Sequence, residues 1–269
     1  MIHVRRLFSR LWPCVALVAS ITGLAGSAAC GSSPTGPDPV QQQPPPPPPP
    51  PPPAAPRLTK LHYLAFGDSL TEGVVSTAAN WRFALTPGRA ESYPFKLQQL
   101  LSARYTGQSP IVLNGGRAGE QAADALPRLQ SVLSEARDTE VVLLLEGIND
   151  LNAFGEDRIP AAVDAMKQLM REVKRRGMVP MVATMVPLNP AGRRAAAAGW
   201  VQSYNRDLVR TAQVEGVTVV DLYSQFDVAL QGPDGLHPTE QGYQRMAEIF
   251  LAAITTAFEQ PVTAANLAR

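Results

Sequence analysis

Five short apolar runs, separated by stretches with helical periodicity, limit what residues 57–269 can become. The runs are Leu61–Phe66, Ile111–Asn114, Val141–Glu146, Val179–Val186 and Val217–Leu222. Each is mostly apolar at odd and even positions alike, the pattern of a strand buried on both faces of a parallel sheet. Between them, Leu97, Leu100, Leu101 and Tyr105 repeat at helical spacing, and Leu126, Leu129 and Leu133 form a second stripe with Pro127 in its first turn. A third helix is predicted from Pro160 through Val163, Met166, Met170 and Val173 to Lys174, Arg175 and Arg176, stopped by Gly177. A fourth starts near Thr239 and carries Tyr243, Met246, Phe250 and Ile254. This alternation predicts a doubly wound α/β fold, a three-layer α/β/α sandwich around a five-stranded parallel sheet. Ligands bind outside the carboxyl ends of the strands in such a sheet, so functional side chains are expected in the segments that follow them.

The first 56 residues are written differently. Arg5, Arg6 and Arg10 precede a largely apolar stretch, and Gly26, Ser27, Ala28 and Ala29 lead to Cys30. That is the layout of a secretory signal peptide over residues 1–29. The apolar stretch is broken by Pro13 and is shorter than the roughly 20 residues of a lasting anchor. Ser27-Ala28-Ala29-Cys30 resembles a bacterial lipobox, which implies a lipidated Cys30 and membrane attachment; ordinary cleavage would instead leave a secreted or periplasmic protein with a free thiol. Residues 30–56 contain fourteen prolines, ten of them consecutive from Pro44 to Pro53. Such a run favours extended polyproline II at about 3.1 Å per residue, so this segment reads as a semi-rigid tether, or less simply as a ligand for a polyproline-binding domain. Residues 57–269 are left as one domain in an extracytoplasmic setting.

Charge and cysteine content exclude several classes. The whole chain carries a formal +1, and losing Arg5, Arg6 and Arg10 with the leader takes it to −2, which gives no electrostatic footprint for nucleic acid. Both cysteines, Cys14 and Cys30, precede the domain, so its body has no thiol for a disulfide, a zinc site or a cysteine nucleophile. Only His62 and His237 follow the leader, which argues against a His/Cys metal site and leaves only a carboxylate site for calcium or magnesium open. No metal or other cofactor is expected.

Four segments follow strands and carry reactive groups: Gly67-Asp68-Ser69-Leu70-Thr71, Asn114-Gly115-Gly116-Arg117-Ala118-Gly119, Gly147-Ile148-Asn149-Asp150 and Asp234-Gly235-Leu236-His237-Pro238. Each alone has an ordinary explanation as a turn or helix cap. Together they supply one chemistry. A serine hydroxyl is a weak nucleophile that needs a positioned base; His237 can serve, and Asp234, three residues earlier, can hold its ring. An acyl-transfer transition state also needs donors aimed at the developing oxyanion, for which a Gly119 N–H and the Asn149 amide are candidates. His62 lies inside the first strand and reads as a core or edge residue.

These segments resemble the four blocks of the SGNH, or GDSL-type, hydrolase superfamily of esterases and lipases, over residues 60–258. The resemblance implies Ser69 as nucleophile, His237 as base, Asp234 as its orienter, and an oxyanion hole made by the Ser69 N–H, Gly119 and Asn149. It also implies a flavodoxin-like strand order. Ser69 is not in a Gly-x-Ser-x-Gly elbow, which separates the chain from α/β-hydrolases. Asp68 and Asp150 are read as residues that fix the loops.

Two irregular stretches are expected to border the cleft, one with Trp81, Arg82, Phe83 and Arg89, the other with Asn189, Pro190, Arg193, Arg194 and Trp200. The tryptophans either meet substrate or pin the loops, and Arg117 is read as a solvated loop charge. Neither stretch offers a long apolar surface, so short acyl or acetyl esters on a small-molecule, glycan or lipid alcohol are favoured. Two other readings stay open on residues alone: a noncatalytic glycan- or ligand-binding surface lipoprotein, and a serine peptidase using the same triad.

Overall fold

Parallel pairing of five strands organises the domain. The structure, a computed structural model, describes residues 55–75 and 90–260. The signal peptide, Cys30, Pro44–Pro53, Trp81, Arg82, Phe83 and Arg89 lie outside the described residues. In chain order the elements are β1 (Arg57–Leu58), β2 (His62–Gly67), α1 (Ser69–Glu72), α2 (Tyr93–Arg104), β3 (Ile111–Gly116), α3 (Ala125–Glu135), β4 (Val141–Leu145) and α4 (Ile148–Phe154). They continue with α5 (Ile159–Arg175), β5 (Val179–Ala183), α6 (Val201–Glu215), β6 (Thr218–Val220), α7 (Leu222–Gln225), α8 (Glu240–Phe258) and β7 (Glu259–Gln260). The main sheet is parallel throughout, in the order β3-β2-β4-β5-β6. That is the flavodoxin-like order, with its switch point between β2 and β4.

Helices cover both faces. One group pairs α2 with α8, where Tyr93 stacks on Phe250 with ring centroids 4.7 Å apart; the other sets α3 against α5 and α5 against α6. All five residues of β4 are buried, as its central place demands, each contributing about 1.5–3 kcal/mol of transfer free energy. The α5 stripe Val163, Met166, Met170 and Val173 is buried as its spacing predicts.

Two expectations need correction. The run Ile111–Asn114 is not buried on both faces: β3 is the sheet edge, and Ile111 and Leu113 are each 43% exposed. The run Val179–Val186 stays buried but leaves the ladder after Ala183. Its neighbour β6 has only three residues, and the Asn205 amide of α6 takes over, accepting from the Met185 N–H at 2.7 Å and donating to its carbonyl at 2.8 Å. Gly147, with φ +114°, precedes the seven-residue helix α4, which places Asn149 and Asp150 in its first turn.

The chain enters at the amino end of the sheet, where β1 pairs antiparallel with β7. The Arg104 guanidinium and the Tyr105 hydroxyl both donate to Glu259 there. No helix among the described residues is long and apolar enough to cross a membrane.

Candidate active site

The carboxyl end of β2 delivers Ser69. Asp68 caps α1, its Oδ1 accepting from the Leu70 N–H at 2.9 Å, and Ser69 is the first helical residue, 3% exposed. Gly67 just before it has no room for a side chain: a Cβ would lie 2.2 Å from both the Leu145 carbonyl and the Thr71 hydroxyl. This tight seat fixes the serine against the central strand.

His237 and Asp234 come from the segment between α7 and α8. A bridge pairs Gln231 with Pro238, the Gly232 N–H donates to the His237 carbonyl at 2.8 Å, and the Gln231 amide donates to the Pro187 carbonyl at 2.7 Å. The loop after β5 braces it from the other side: Asn189 N–H donates to the Gly235 carbonyl and Arg194 N–H to the Asp234 carbonyl. The resulting side-chain geometry is a continuous chain. Ser69 Oγ lies 2.9 Å from His237 Nε2, and His237 Nδ1 lies 2.6 Å from Asp234 Oδ2. Asp234 Oδ1 accepts from the Leu236 and His237 N–H groups at 3.0 and 2.9 Å, so its carboxylate cannot swing away. Burial pushes the Asp234 carboxyl up, but its hydrogen bond and charge contact with His237 outweigh this and hold it below the ordinary value. An ionised Asp234 facing Nδ1 keeps the proton on that nitrogen and leaves Nε2 to accept from the serine.

The prospective oxyanion donors come from the first turn of α1, the turn after β3 and the first turn of α4. Gly119 is exposed at the tip of the turn after β3, with φ +79°; a Cβ there would meet nothing within 4 Å, so glycine is needed for the backbone conformation rather than for space. Asn149 sits in the first turn of α4, and its Nδ2 donates to the Glu120 carbonyl at 2.7 Å, leaving its second N–H to point elsewhere. The Ser69 and Gly119 N–H groups donate to no other group among the described residues. The structure thus brings Ser69, His237 and Asp234 into contact, and links Asn149 to the carbonyl of Glu120, the residue that follows Gly119.

Asp68 and Asp150 are loop-fixing groups here, the one capping α1, the other accepting from the Ala122 N–H at 2.7 Å. Burial pushes the Asp68 carboxyl up to about 7, against the lowering pull of its Leu70 hydrogen bond. His62 is half-exposed at the start of β2, 3.6 Å from Glu140 and at the opposite end of its strand. Trp200 packs against the core just before α6, which is the loop-pinning role. Arg117 is a largely exposed loop charge, 3.9 Å from Glu120.

Sequence reasoning missed three charged residues around the oxyanion corner: Glu120, Arg128 and Glu146. The only signal was a lone acid following Gly119, which is common in loops. Among the described residues, no group of three or more His, Cys, Asp or Glu is arranged to hold a metal ion.

The model of the GDSL-like Lipase/Acylhydrolase family matches residues 65–245, spanning all four segments. This chain belongs to that family. No match is found among curated protein sequences. Solved structures share the fold at low identity. The carbohydrate acetylesterase Est24 from Sinorhizobium meliloti aligns with a TM-score of 0.63 and 16% identity, over 74% of this chain and all (100%) of its own. The M. smegmatis aryl esterase gives 0.61 and 21%, over 73% and 99%. A lipase/acylhydrolase from Enterococcus faecalis gives 0.59 and 22%, over 76% and 100%. The family and its fold identify the chain as an ester hydrolase of the GDSL type.

Proposed function

We propose that this protein is an extracytoplasmic serine esterase that releases short acyl groups, acetyl above all, through an acyl-enzyme on Ser69. The observation that carries the reading is the Ser69–His237–Asp234 chain, at 2.9 and 2.6 Å. His237 Nε2 takes the hydroxyl proton as Oγ attacks the ester carbonyl. The oxyanion is held by the N–H groups of Ser69 and Gly119 and by the Asn149 amide. The tetrahedral adduct collapses, the C–O bond to the alcohol breaks, and His237 returns the proton to the leaving alkoxide. Water then attacks the acyl-serine with the same base and frees the acid.

Short acyl groups agree with the sequence of the two stretches expected to border the cleft, which carry no long apolar run. The names of two structural neighbours, a carbohydrate acetylesterase and an acetyl-xylooligosaccharide esterase, point the same way. Tethering through Cys30 is supported by the lipobox-like Ser27-Ala28-Ala29-Cys30 segment and the proline-rich run that follows it. The test is hydrolysis of a chromogenic ester series, from acetyl to a long acyl chain, by the wild type and Ser69→Ala. Acetyl or another short ester is expected to turn over fastest, with loss in the variant. A maximum at long chains refutes the acyl-group reading, and turnover retained by Ser69→Ala refutes the mechanism.

A further inference from the structure

We propose that Arg128 and Glu120 are positioning residues that clamp the oxyanion donors from behind, setting where the Ser69, Gly119 and Asn149 groups point. The inference rests on the serine-esterase reading above and adds to it two side chains that touch no substrate.

Arg128 lies in α3 with its guanidinium 3.9 Å above the Phe66 ring and its side chain only 17% exposed. Each of its partners is next to a different piece of the site. Nη2 donates to the Gly67 carbonyl at 3.1 Å, two residues before Ser69. Nη1 donates to the Gly115 carbonyl at 2.7 Å, at the end of the strand that leads to Gly119. Nε donates to both Glu120 carboxylate oxygens at 2.7 Å, and Nη2 adds a further short contact to Oε2. Glu120 follows Gly119 directly, and its carbonyl is the acceptor that orients the Asn149 amide. One planar fork therefore ties the ends of β2 and β3 and the Gly119 turn together, and through Glu120 also fixes Asn149 on α4. A lysine cannot do this, because a single ammonium cannot reproduce the fork.

Burial makes the arrangement specific. The Glu120 side chain is 4% exposed, so its charge needs Arg128; the Arg117 guanidinium is mostly in water and contributes little. Beneath them the Glu146 side chain is fully buried, 3.8 Å from Arg128 Nη2, and neither of its oxygens has a hydrogen-bond partner among the described residues while it is ionised. Burial first, then the nearby Asp68 and Glu120 charges, push its carboxyl well above the usual range. A neutral Glu146 does not compete for the guanidinium and can itself donate to Glu120.

The experiment measures kcat and KM for an acetyl ester in the full protein and in Arg128→Lys and Glu120→Gln, with Asn149→Ala in each background. Rates are normalised to sites titrated with a serine-reactive phosphonate. Misplaced donors are expected to lower kcat roughly 10- to 100-fold with KM within about twofold. The Asn149→Ala penalty, about 10²- to 10³-fold in the parent, should shrink at least tenfold where the clamp is broken. A merely structural pair would lower the titrated fraction and leave kcat per site and the Asn149 penalty unchanged, and that result overturns the clamp. If Ser69→Ala and Asn149→Ala lose turnover while both clamp variants match the parent, the clamp fails alone. If Ser69→Ala and Asn149→Ala retain full turnover, the esterase reading fails and the clamp falls with it.

Discussion

Replacing Asp68 by asparagine should change how the stability of this protein depends on pH. The Asp68 side chain is fully buried next to the nucleophile; Oδ1 caps α1 and Oδ2 has no hydrogen-bond partner among the described residues. Burial raises its carboxyl from 3.8 to about 7, with Asp150 and Glu120 adding to the rise. The sign follows from linkage. An acid whose folded pKa is raised binds its proton more tightly when folded, so its contribution is fully present below the unfolded pKa and is lost as pH rises through about 7. At 1.36 kcal/mol per pKa unit, the loss between pH 5 and pH 8 is roughly 2.5 kcal/mol. Asparagine keeps the cap acceptor and cannot ionise, so that slope vanishes. Constant costs of the substitution, such as an unmet amide N–H, cancel in the comparison across pH. For a domain of this size each kcal/mol moves Tm by about 2–4 °C, so the Tm of Asp68→Asn relative to wild type should climb by roughly 5–10 °C from pH 5 to pH 8. Thermal unfolding followed by circular dichroism at four pH values reads this directly. Parallel Tm curves for the two proteins would refute the buried, proton-holding Asp68.

Two further outcomes are expected. In Asp234→Asn the amide oxygen should keep the Leu236 and His237 N–H groups, turning the NH2 toward His237 Nδ1 and forcing the proton onto Nε2. That tautomer cannot accept from Ser69, so kcat/KM should fall about 10⁴-fold with the fold intact, and a loss under about tenfold in a folded variant would contradict the role given to Asp234. Mass spectrometry of the mature N-terminus from the native host should find Cys30 as the first residue with lipid attached; an unmodified terminus elsewhere would remove the tether.

The fold and the cluster of Ser69, His237 and Asp234 were legible because both depend on local pattern. Strand runs such as Val141–Glu146 read correctly, since a central parallel strand is apolar on both faces and shows it in one dimension. Ser69, Gly119, Asn149 and the Asp234–His237 pair each lie just after a strand or in a short loop, where the residue types announce their chemistry. What stayed hidden depends on partners distant in sequence. Nothing within Ile111–Asn114 says that it is an edge, because edge position is set by the strand order. The end of β5 is decided by Asn205, twenty residues beyond Met185. Gly147-Ile148-Asn149-Asp150 has turn composition and becomes helical because α4 packs against α5 and the segment before α6. Glu120 and Arg128 are eight residues apart across a turn and a helix, and Glu146 and Asp68 become unusual acids only once burial removes their water.

The central claim is that Ser69 carries the acyl group between the two halves of the reaction. Full-length protein mixed with an activated acetyl ester and quenched in acid within the first turnovers should show, by intact-mass and peptide mass spectrometry, the mass of one acetyl group located on Ser69. Wild type should carry that adduct and Ser69→Ala should not. Turnover of the ester with no acetyl on Ser69, or the same adduct and rate in Ser69→Ala, would contradict the account.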